Sequence, residues 1–504
     1  CDEPLVCRLP AFVEEIRRSS QKRRRDSLVR VMVRALPALL LLSAPFSAPF
    51  SLAFRRTVAL STGRSSIASC SYTPPLARAP WSSSRYSLSR LHSTMSDDAA
   101  KIKRLRADMT EVDKHVHFNN AGDSPMSLPV LNKVKEVLDL EHVIGGYAAA
   151  DQYKDELAAV YVSIGRLINA ESPQEEIALV DSATTAWVKA FYSIPLQPGD
   201  VILLSHVEYA ANFVAALQRA RRDGAVIEVV DSDSAGLLCT QDLRQRLTHH
   251  GERVKIVCVT WIPTNGGVIS DAAAVGALCR ELAPDCVYLL DACQAAGQLS
   301  IDVKKLQCDA LSATGRKYLR GPRGTGFLYV RRSRLRDGDV FSEPATLDHY
   351  AAPWTGLSSY AVHKGAKRFE QWERSVANLL GLGAAVDYAL DADVLWAEAR
   401  ARANGLLLRC KLRKMPTVTL HDLGDQESQC GIVTFSVEGV DAATIKARLH
   451  EVNTYVAVAP ENSTLVDSRA RNLPPLVRAS LHYFNTAEEI GKFCDHLRTI
   501  LPTC

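Results

Sequence analysis

The stretch Val287-Tyr-Leu-Leu-Asp-Ala-Cys-Gln-Ala-Ala-Gly-Gln298 and the later stretch Ser312-Ala-Thr-Gly-Arg-Lys-Tyr-Leu-Arg-Gly-Pro-Arg-Gly-Thr-Gly-Phe327 decide the fold. An apolar run ends in an acid, Asp291, and Lys317 follows inside a loop of small residues. Pyridoxal phosphate needs both groups, a carboxylate for its pyridinium nitrogen and an amine for a Schiff base. The pattern therefore predicts a pyridoxal phosphate site in which Asp291 keeps the ring nitrogen protonated. Lys317 would hold the aldehyde and then shuttle the proton.

Each of these features also has an ordinary structural explanation. An acid after a strand is often a helix cap, a lysine is usually a surface charge, and Gly321-Pro-Arg-Gly-Thr-Gly326 alone could be a tight turn. Here the three features occur together and in order, and the apolar run Phe327-Leu-Tyr-Val330 follows them. Their combination favours the cofactor site.

A candidate phosphate seat lies upstream, in Ile177-Ala-Leu-Val-Asp-Ser-Ala-Thr-Thr-Ala-Trp187. The pattern is typical of a strand that breaks into a helix at a small, hydroxyl-bearing turn. Backbone N–H groups at a helix start carry partial positive charge, and Thr184 and Thr185 add hydroxyl donors. A plain helix N-cap is the alternative explanation.

Two further segments extend the pattern, Val201-Ile-Leu-Leu-Ser-His-Val-Glu-Tyr-Ala-Ala-Asn212 and Leu476-Val-Arg-Ala-Ser-Leu-His-Tyr-Phe-Asn-Thr-Ala-Glu-Glu-Ile490. With the lysine segment, they resemble the class V aminotransferase family of pyridoxal phosphate enzymes. That family includes cysteine desulfurases, selenocysteine lyases and isopenicillin N epimerase-like proteins. The resemblance runs from about His117 to the C-terminus. It implies the α/β fold type I of pyridoxal-phosphate-dependent transferases, with a mainly parallel sheet in a large domain and a smaller C-terminal α/β domain.

The resemblance also implies roles for single residues. Arg478 would clamp the α-carboxylate of a small amino-acid substrate, because a forked guanidinium fixes the carboxylate plane. Tyr209 occupies the position of the residue that stacks on the cofactor ring, and Gln294 matches a glutamine that contacts the ring oxygen. Asn265 is placed on the substrate side, with a turn residue as the alternative.

The residues just before the lysine differ from those of relatives, which often read Ser-Gly-His-Lys where this chain reads Thr314-Gly-Arg-Lys317. Thr314 keeps a hydroxyl for the phosphate, and Arg316 places a permanent forked cation where relatives have an imidazole. We therefore predict that both residues bind the cofactor. Arg320 and Arg323 could serve the same positive pocket or the substrate end, and the sequence leaves this open.

A missing cysteine bears on the reaction. Cysteine desulfurases carry a persulfide-forming cysteine shortly before the clamp arginine, and residues 454–475 contain none. The resemblance then favours a lyase that cleaves a C–S bond of a cysteine-like amino acid by β-elimination. Transamination or epimerisation within the same family is the alternative, and a catalytically inactive binding or scaffolding subunit is a remote one.

Amphipathic stretches over 128–141, 152–167 and 271–282 alternate with apolar runs, which predicts a largely parallel α/β sheet with the cofactor beyond the strand ends. We predict a targeting leader over residues 1–95, an N-terminal arm over 96–115, a large cofactor-binding domain over 116–388 and a small domain over 389–504.

The charge of the chain is unevenly distributed. Residues 1–94 hold 15 Lys+Arg against 5 Asp+Glu, a balance of +10, so the total of +4 leaves −6 for the remainder. A nucleic-acid partner is therefore not implied.

The leader lacks acids between Ser27 and Ser96, and Met32–Phe54 contains an apolar core too short to span a bilayer. This two-part leader predicts plastid import, with mitochondrial import or secretion as alternatives and no membrane span in the mature part.

Thirteen cysteines occur, three of them in the leader, without a CxxC motif or a metal-like Cys/His spacing. We predict reduced, mostly buried thiols and no metal site.

The segment Lys367-Arg-Phe-Glu-Gln-Trp-Glu-Arg-Ser375 aligns with an Arg-Phe-Glu segment that borders the neighbouring subunit's cofactor in relatives. The resemblance therefore implies a homodimer.

Overall fold

The apolar runs of the sequence form the strands of one central sheet. The computed structural model describes residues 88–335 and 341–500, which belong to one compact unit. In chain order, the strands are β1 (Val116–His117), β2 (Ile177–Val180), β3 (Val201–Ser205), β4 (Val226–Val230), β5 (Val254–Thr260), β6 (Val287–Asp291), β7 (Ala310–Thr314), β8 (Gly326–Val330), β9 (Trp354–Gly356), β10 (Ser359–Tyr360), β11 (Val418–Leu420), β12 (Ile432–Val437), β13 (Thr454–Tyr455), β14 (Ala457–Ala459) and β15 (Leu476–Ser480).

The central sheet has seven strands in the order β2-β8-β7-β6-β5-β3-β4. The pairs from β7 through β6, β5 and β3 to β4 are parallel, and β8 runs antiparallel between β7 and β2. Every residue of β3, β6 and β7 is buried. Such continuous burial is expected when helices cover both faces of a parallel sheet.

The helices pack on this sheet and on the C-terminal part. In chain order, they are α1 (Leu88–Ala107), α2 (Leu128–Ile144), α3 (Gly146–Gln152), α4 (Lys154–Ile168), α5 (Pro173–Glu176), α6 (Ala183–Tyr192), α7 (Ala210–Asp223), α8 (Thr240–His250), α9 (Ala272–Leu282), α10 (Val303–Leu306), α11 (Val376–Asp391), α12 (Val394–Leu412), α13 (Ala442–Glu451), α14 (Leu465–Ala470) and α15 (Ala487–Ile500).

Local sequence signals place the helix starts. The Asp271 side chain accepts a hydrogen bond from Ala274 N at 3.0 Å and opens α9, and Asp441 caps α13 in the same way. An N-cap carboxylate satisfies a free helix N–H and favours the positive end of the helix dipole. The helices predicted over 128–141, 152–167 and 271–282 occur as Leu128–Ile144, Lys154–Ile168 and Ala272–Leu282, so no end differs by more than three residues.

The C-terminal part has its own sheet and core. Strands β11, β12, β15 and β14 form a four-stranded antiparallel sheet in that order, and β1 pairs with β13 in parallel. Buried side chains of β12, β15, α13 and α15 form a separate hydrophobic cluster. The division into two domains at residue 388 stays a prediction.

Most of the predicted leader lies outside the described residues. The described part begins at Leu88 with α1, so this helix covers the end of the predicted leader and part of the predicted arm. Within residues 88–335 and 341–500, no helix combines the length and the apolar character that a membrane span requires. Plastid import stays a prediction.

Candidate active site

The carboxyl ends of the parallel strands bring the predicted site residues to one edge of the sheet. Thr260 of β5 and Ser312 of β7 are the registered neighbours of Asp291, the last residue of β6. Loops that follow parallel strands leave the sheet at this edge, where ligands of such sheets bind. The predicted acid therefore lies where a ligand site is expected.

Asp291 is a buried carboxylate with two hydrogen-bond donors. Its Oδ1 accepts from Cys293 N at 2.8 Å, and its Oδ2 accepts from Asn212 Nδ2 at 3.1 Å. Burial raises the pKa of Asp291, while the two donors and the charge of Lys317 act in the opposite direction. A carboxylate has about four acceptor positions, so two remain for a further donor such as a pyridinium N–H.

The Lys317 loop packs directly on the loop that follows Asp291. Gly297 has φ +85°, and a Cβ at this position would lie 2.4 Å from the Tyr318 carbonyl carbon. Only glycine permits this conformation and this approach without strain. Burial raises the pKa of the Cys293 thiol, and the charge of Lys317 acts in the opposite direction.

Arg478 is a buried guanidinium on β15. Its Nη1 donates to Thr264 O at 3.1 Å and to Thr264 Oγ1 at 2.8 Å, and its Nη2 lies 3.5 Å from Asn119 Oδ1. Burial lowers its pKa to about 10, and no carboxylate pairs with it among residues 88–335 and 341–500. A buried cation without an acid partner is costly, so the arrangement suits an anionic ligand.

Several polar atoms of the site are open to a ligand. Gln294 Nε2 donates to Ala121 O at 3.1 Å, whereas its buried Oε1 has no hydrogen-bond partner in the described part of the chain. The Nε of Arg478 is also unpartnered there. Tyr209 precedes α7 with 38% of its surface exposed, so its ring is available for stacking. These groups fit the acid, ring and carboxylate functions of a pyridoxal phosphate complex with an amino acid.

The predicted phosphate seat is a capped helix start. Ser182 Oγ accepts from Thr185 N at 3.0 Å and lies 3.0 Å from Thr185 Oγ1, while Thr184 is exposed. A Cβ at Gly326 would lie 3.0 Å from Ala183 N, so the glycine lets β8 approach the start of α6. The capping explanation thus holds for Ser182, and the phosphate role of Thr184 and Thr185 stays a prediction.

The other residues around the lysine differ in their partners. Thr314 Oγ1 donates to Thr325 O at 3.2 Å, and Arg316 donates to Gly122 O. The roles predicted for Thr314 and Arg316 at the phosphate stay predictions.

Arg320 and Arg323, the two arginines whose roles the sequence leaves open, differ in burial. Arg320 is 1% exposed, with its guanidinium 4.7 Å from the Phe484 ring centre and bonded to Tyr483. Arg323 is largely exposed and pairs with Asp123 at 3.3 Å. The Arg320 guanidinium is thus buried among aromatic rings and Arg323 lies at the surface, and the roles of both residues stay open.

Asn265 joins the site to residues 454–475, the segment without a cysteine. Its Nδ2 donates to Pro460 O at 2.8 Å, and its buried Oδ1 has no partner among the described residues. A substrate contact for Asn265 stays a prediction.

Within the described ranges no group of His, Cys, Asp and Glu could hold a metal ion, and seven of the nine cysteines there are buried.

Behind the lysine, His482 is a buried histidine whose tautomer follows from its contacts. Its Nδ1 accepts from Tyr483 N at 2.8 Å, so the proton is on Nε2, which donates to Tyr318 O at 2.8 Å. Burial lowers the pKa of His482 to about 3 and that of His117 to about 4. Both side chains are therefore neutral in the folded protein near neutral pH.

These two histidines predict a loss of stability in mild acid. Below the ordinary histidine pKa of about 6.5, the unfolded chain binds protons that the folded chain excludes. The free energy of unfolding should then fall by about 1.4 kcal/mol per pH unit and histidine. Urea unfolding between about pH 7 and pH 5 measures this slope. His482→Gln should flatten it and the exposed His249→Gln should not; an unchanged slope in His482→Gln would contradict the prediction.

Comparisons with known proteins identify the family of the chain. A family model described as aminotransferase class-V matches residues 116–493. The chain belongs to the class-V aminotransferase family. A probable cysteine desulfurase of Methanothermobacter thermautotrophicus is 26% identical over 410 residues, which cover 79% of this chain and 98% of the relative.

Solved structures share the fold. A cysteine desulfurase of Thermococcus onnurineus superposes with a TM-score of 0.71 at 21% identity, covering 79% of this chain and 97% of the other. A cystine C–S lyase in complex with its reaction product cysteine persulfide gives a TM-score of 0.67 at 22% identity, and the match covers 77% of this chain and 98% of the lyase. Family membership confirms the prediction of a pyridoxal phosphate enzyme, and the structures confirm the predicted fold class.

Glu208 and Asn212 were not predicted as site residues, although both are buried beside Asp291. Glu208 lies in the turn just before α7, and Asn212 lies in the first turn of this helix. Neither residue forms a recognisable motif alone, and the contact with Asp291 depends on the order of the strands, which a single sequence does not show.

Proposed function

We propose that this protein is a pyridoxal-phosphate-dependent lyase that cleaves the C–S bond of a cysteine-like amino acid by β-elimination. The observation that carries the proposal is the convergence of Asp291, Lys317 and the unpaired Arg478 next to a segment, residues 454–475, that has no cysteine. Such a site can release a sulfur group but lacks a thiol there to accept it. The family relatives named as cysteine desulfurases, and the lyase among the structural neighbours, support C–S chemistry over transamination.

Each of the three residues has a distinct task in this reaction. Bound pyridoxal phosphate supplies an electron sink for the pair released at the α-carbon. Arg478 holds the substrate carboxylate and so sets which α-carbon bond is cleaved. Lys317 accepts the α-proton, and Asp291 stabilises a proton at the ring nitrogen.

Product analysis tests the proposal. With L-cystine and water, β-elimination yields pyruvate, ammonia and cysteine persulfide, so pyruvate and ammonia should appear in equal amounts. L-cysteine would give pyruvate, ammonia and sulfide, and L-alanine, which has no leaving group, should give neither pyruvate nor ammonia. Keto-acid exchange with no ammonia released from either sulfur amino acid would refute the proposal.

We also propose that the active protein is a homodimer. An exposed aromatic pair supports it: Tyr147 is 75% exposed, Trp372 is 47% exposed, and their ring centres are 6.1 Å apart. The β9–β10 hairpin exposes Trp354 and Leu357 as well. Exposed large apolar side chains that lie side by side, as Tyr147 and Trp372 do, are typical of an interface. Light scattering of the purified protein should report twice the mass of one chain, and a stable monomer would contradict the dimer.

A further inference from the structure

Glu208 is a buried carboxylate surrounded by hydrogen-bond donors. Its Oε2 accepts from Ser205 Oγ at 2.7 Å and from Thr260 N at 3.1 Å. Its Oε1 accepts from Thr260 Oγ1 and from Asn212 Nδ2, both at 2.7 Å. Glu208 is 3% exposed and forms no ion pair within the described ranges. Four donors fill the four acceptor positions of a carboxylate.

The directions in which the neighbouring groups donate their hydrogens show that Glu208 only accepts hydrogen bonds. Asn212 Nδ2 carries two hydrogens, one for Glu208 and one for Asp291, and its amide oxygen could serve neither carboxylate. Thr260 Oγ1 accepts from Tyr209 N at 3.2 Å, so its own hydrogen is directed to Glu208. Burial and the nearby Asp291 raise the pKa of Glu208, whereas these donors lower it. With all four acceptor positions filled, the charged form fits this network.

Two chains of hydrogen bonds therefore start at the Glu208 carboxylate. One runs through the Asn212 amide to Asp291, the predicted partner of the ring nitrogen. The other runs through the Thr260 hydroxyl to the backbone of Tyr209, the predicted stacking residue. The two groups that would hold the edge and the face of the cofactor ring thus share one anchor.

We propose that Glu208 is a positioning residue that orients Asp291 and Tyr209 as one unit for the cofactor ring. The proposal rests on the proposed function only in naming the ring as the ligand. Glu208 prevents the Asn212 amide from rotating its oxygen toward Asp291, which would repel the carboxylate. Its negative charge also favours a proton held between Asp291 and the ring nitrogen.

The test replaces Glu208 by glutamine, which has the same shape but presents an NH2 group to two donors. A matched control is Glu176→Gln at the opposite end of the sheet. Glu176 is also buried and accepts from the backbone N–H groups of Glu171, Ser172 and Arg332 at 2.9–3.1 Å. Both variants lose one buried charge, but only Glu208→Gln disturbs the network at the ring.

The first readout needs no cofactor. In the apoprotein, site-resolved amide exchange at Tyr209 should become roughly tenfold faster in Glu208→Gln, as expected for one weakened hydrogen bond, and stay unchanged in Glu176→Gln. Unchanged exchange in Glu208→Gln would overturn the proposal. This result is independent of the reaction, so it separates a failure of the proposal from a failure of the lyase assignment.

The second readout uses the protein loaded with pyridoxal phosphate. The pH midpoint of the visible absorbance change should shift in Glu208→Gln and not in Glu176→Gln, and kcat should fall by about 10- to 100-fold with KM within about twofold. An equal spectral shift in both variants would mean general destabilisation and would overturn the proposal.

Two further variants, each of which breaks only one of the two hydrogen-bond chains, keep the test decisive if Glu208→Gln does not fold. Asn212→Leu should shift the absorbance midpoint and leave Tyr209 exchange unchanged. Thr260→Val should speed Tyr209 exchange by roughly tenfold and shift the midpoint less. The reverse pattern, or no difference between the two variants, would overturn the proposal.

Discussion

Lys317→Ala is expected to lower kcat/KM by at least about 10⁴-fold and to abolish the visible absorbance of the lysine-bound cofactor, because no other amine replaces it. The lysine holds the cofactor and moves the substrate proton, so one substitution removes two functions. The loop around Lys317 is held by bonds from Arg320 N to Lys317 O and from Gly321 N to Gly315 O. Because these are backbone bonds, the alanine variant should fold normally.

Lys317→Arg is the matched control for charge. It keeps a cation at this position but cannot form the covalent link, so it should lose activity as fully as the alanine variant. Steady-state kinetics and visible spectra measure both effects. Activity above about a tenth of wild type in either variant would mean that Lys317 does not carry the cofactor.

The second large effect is expected at Arg478. Arg478→Gln should lower kcat/KM by about 10²- to 10³-fold, because the substrate carboxylate would enter a buried site without its counter-charge. The kcat/KM of Arg478→Lys should lie between that of Arg478→Gln and that of wild type, since lysine restores the charge but not the forked pair of donors. Thr264 and Asn119 surround the guanidinium with acceptors, which keeps its position defined without substrate.

Arg498→Gln on α15 is the matched control, because Arg498 is an exposed arginine paired with Asp495 at 2.6 Å. Its kcat/KM should stay within about twofold of wild type, as expected for a surface ion pair. Steady-state kinetics with L-cystine compare the three variants. If Arg478→Gln behaves like Arg498→Gln, another group binds the carboxylate.

Sequence reasoning was most successful where one segment carries the information. The strand that ends at Asp291, the loop of Lys317 and the segment of Arg478 are each local patterns, and the structure places all three at the carboxyl edge or beside it. The α/β class follows from the alternation of apolar runs with amphipathic helices. Buried parallel strands need such runs because both of their faces are covered.

Contacts between distant segments were beyond a single sequence. Glu208 and Thr260 are 52 positions apart, and Asn212 and Asp291 are 79 apart, so their network depends on β5 lying between β3 and β6. Arg320 shows the same limit. The sequence left its role open between the positive pocket and the substrate end, and the guanidinium packs on Phe484 and on Tyr483, which is 163 positions along the chain.

The most direct measurement of the central claim is to locate the cofactor on the chain. The loaded protein is treated with borohydride, which makes the lysine–cofactor link permanent, then digested and mapped by mass spectrometry. The phosphopyridoxyl mass should appear on the peptide that contains Lys317. Its appearance instead on another lysine, such as the buried Lys189 of α6, or on none, would contradict the assignment of the active site.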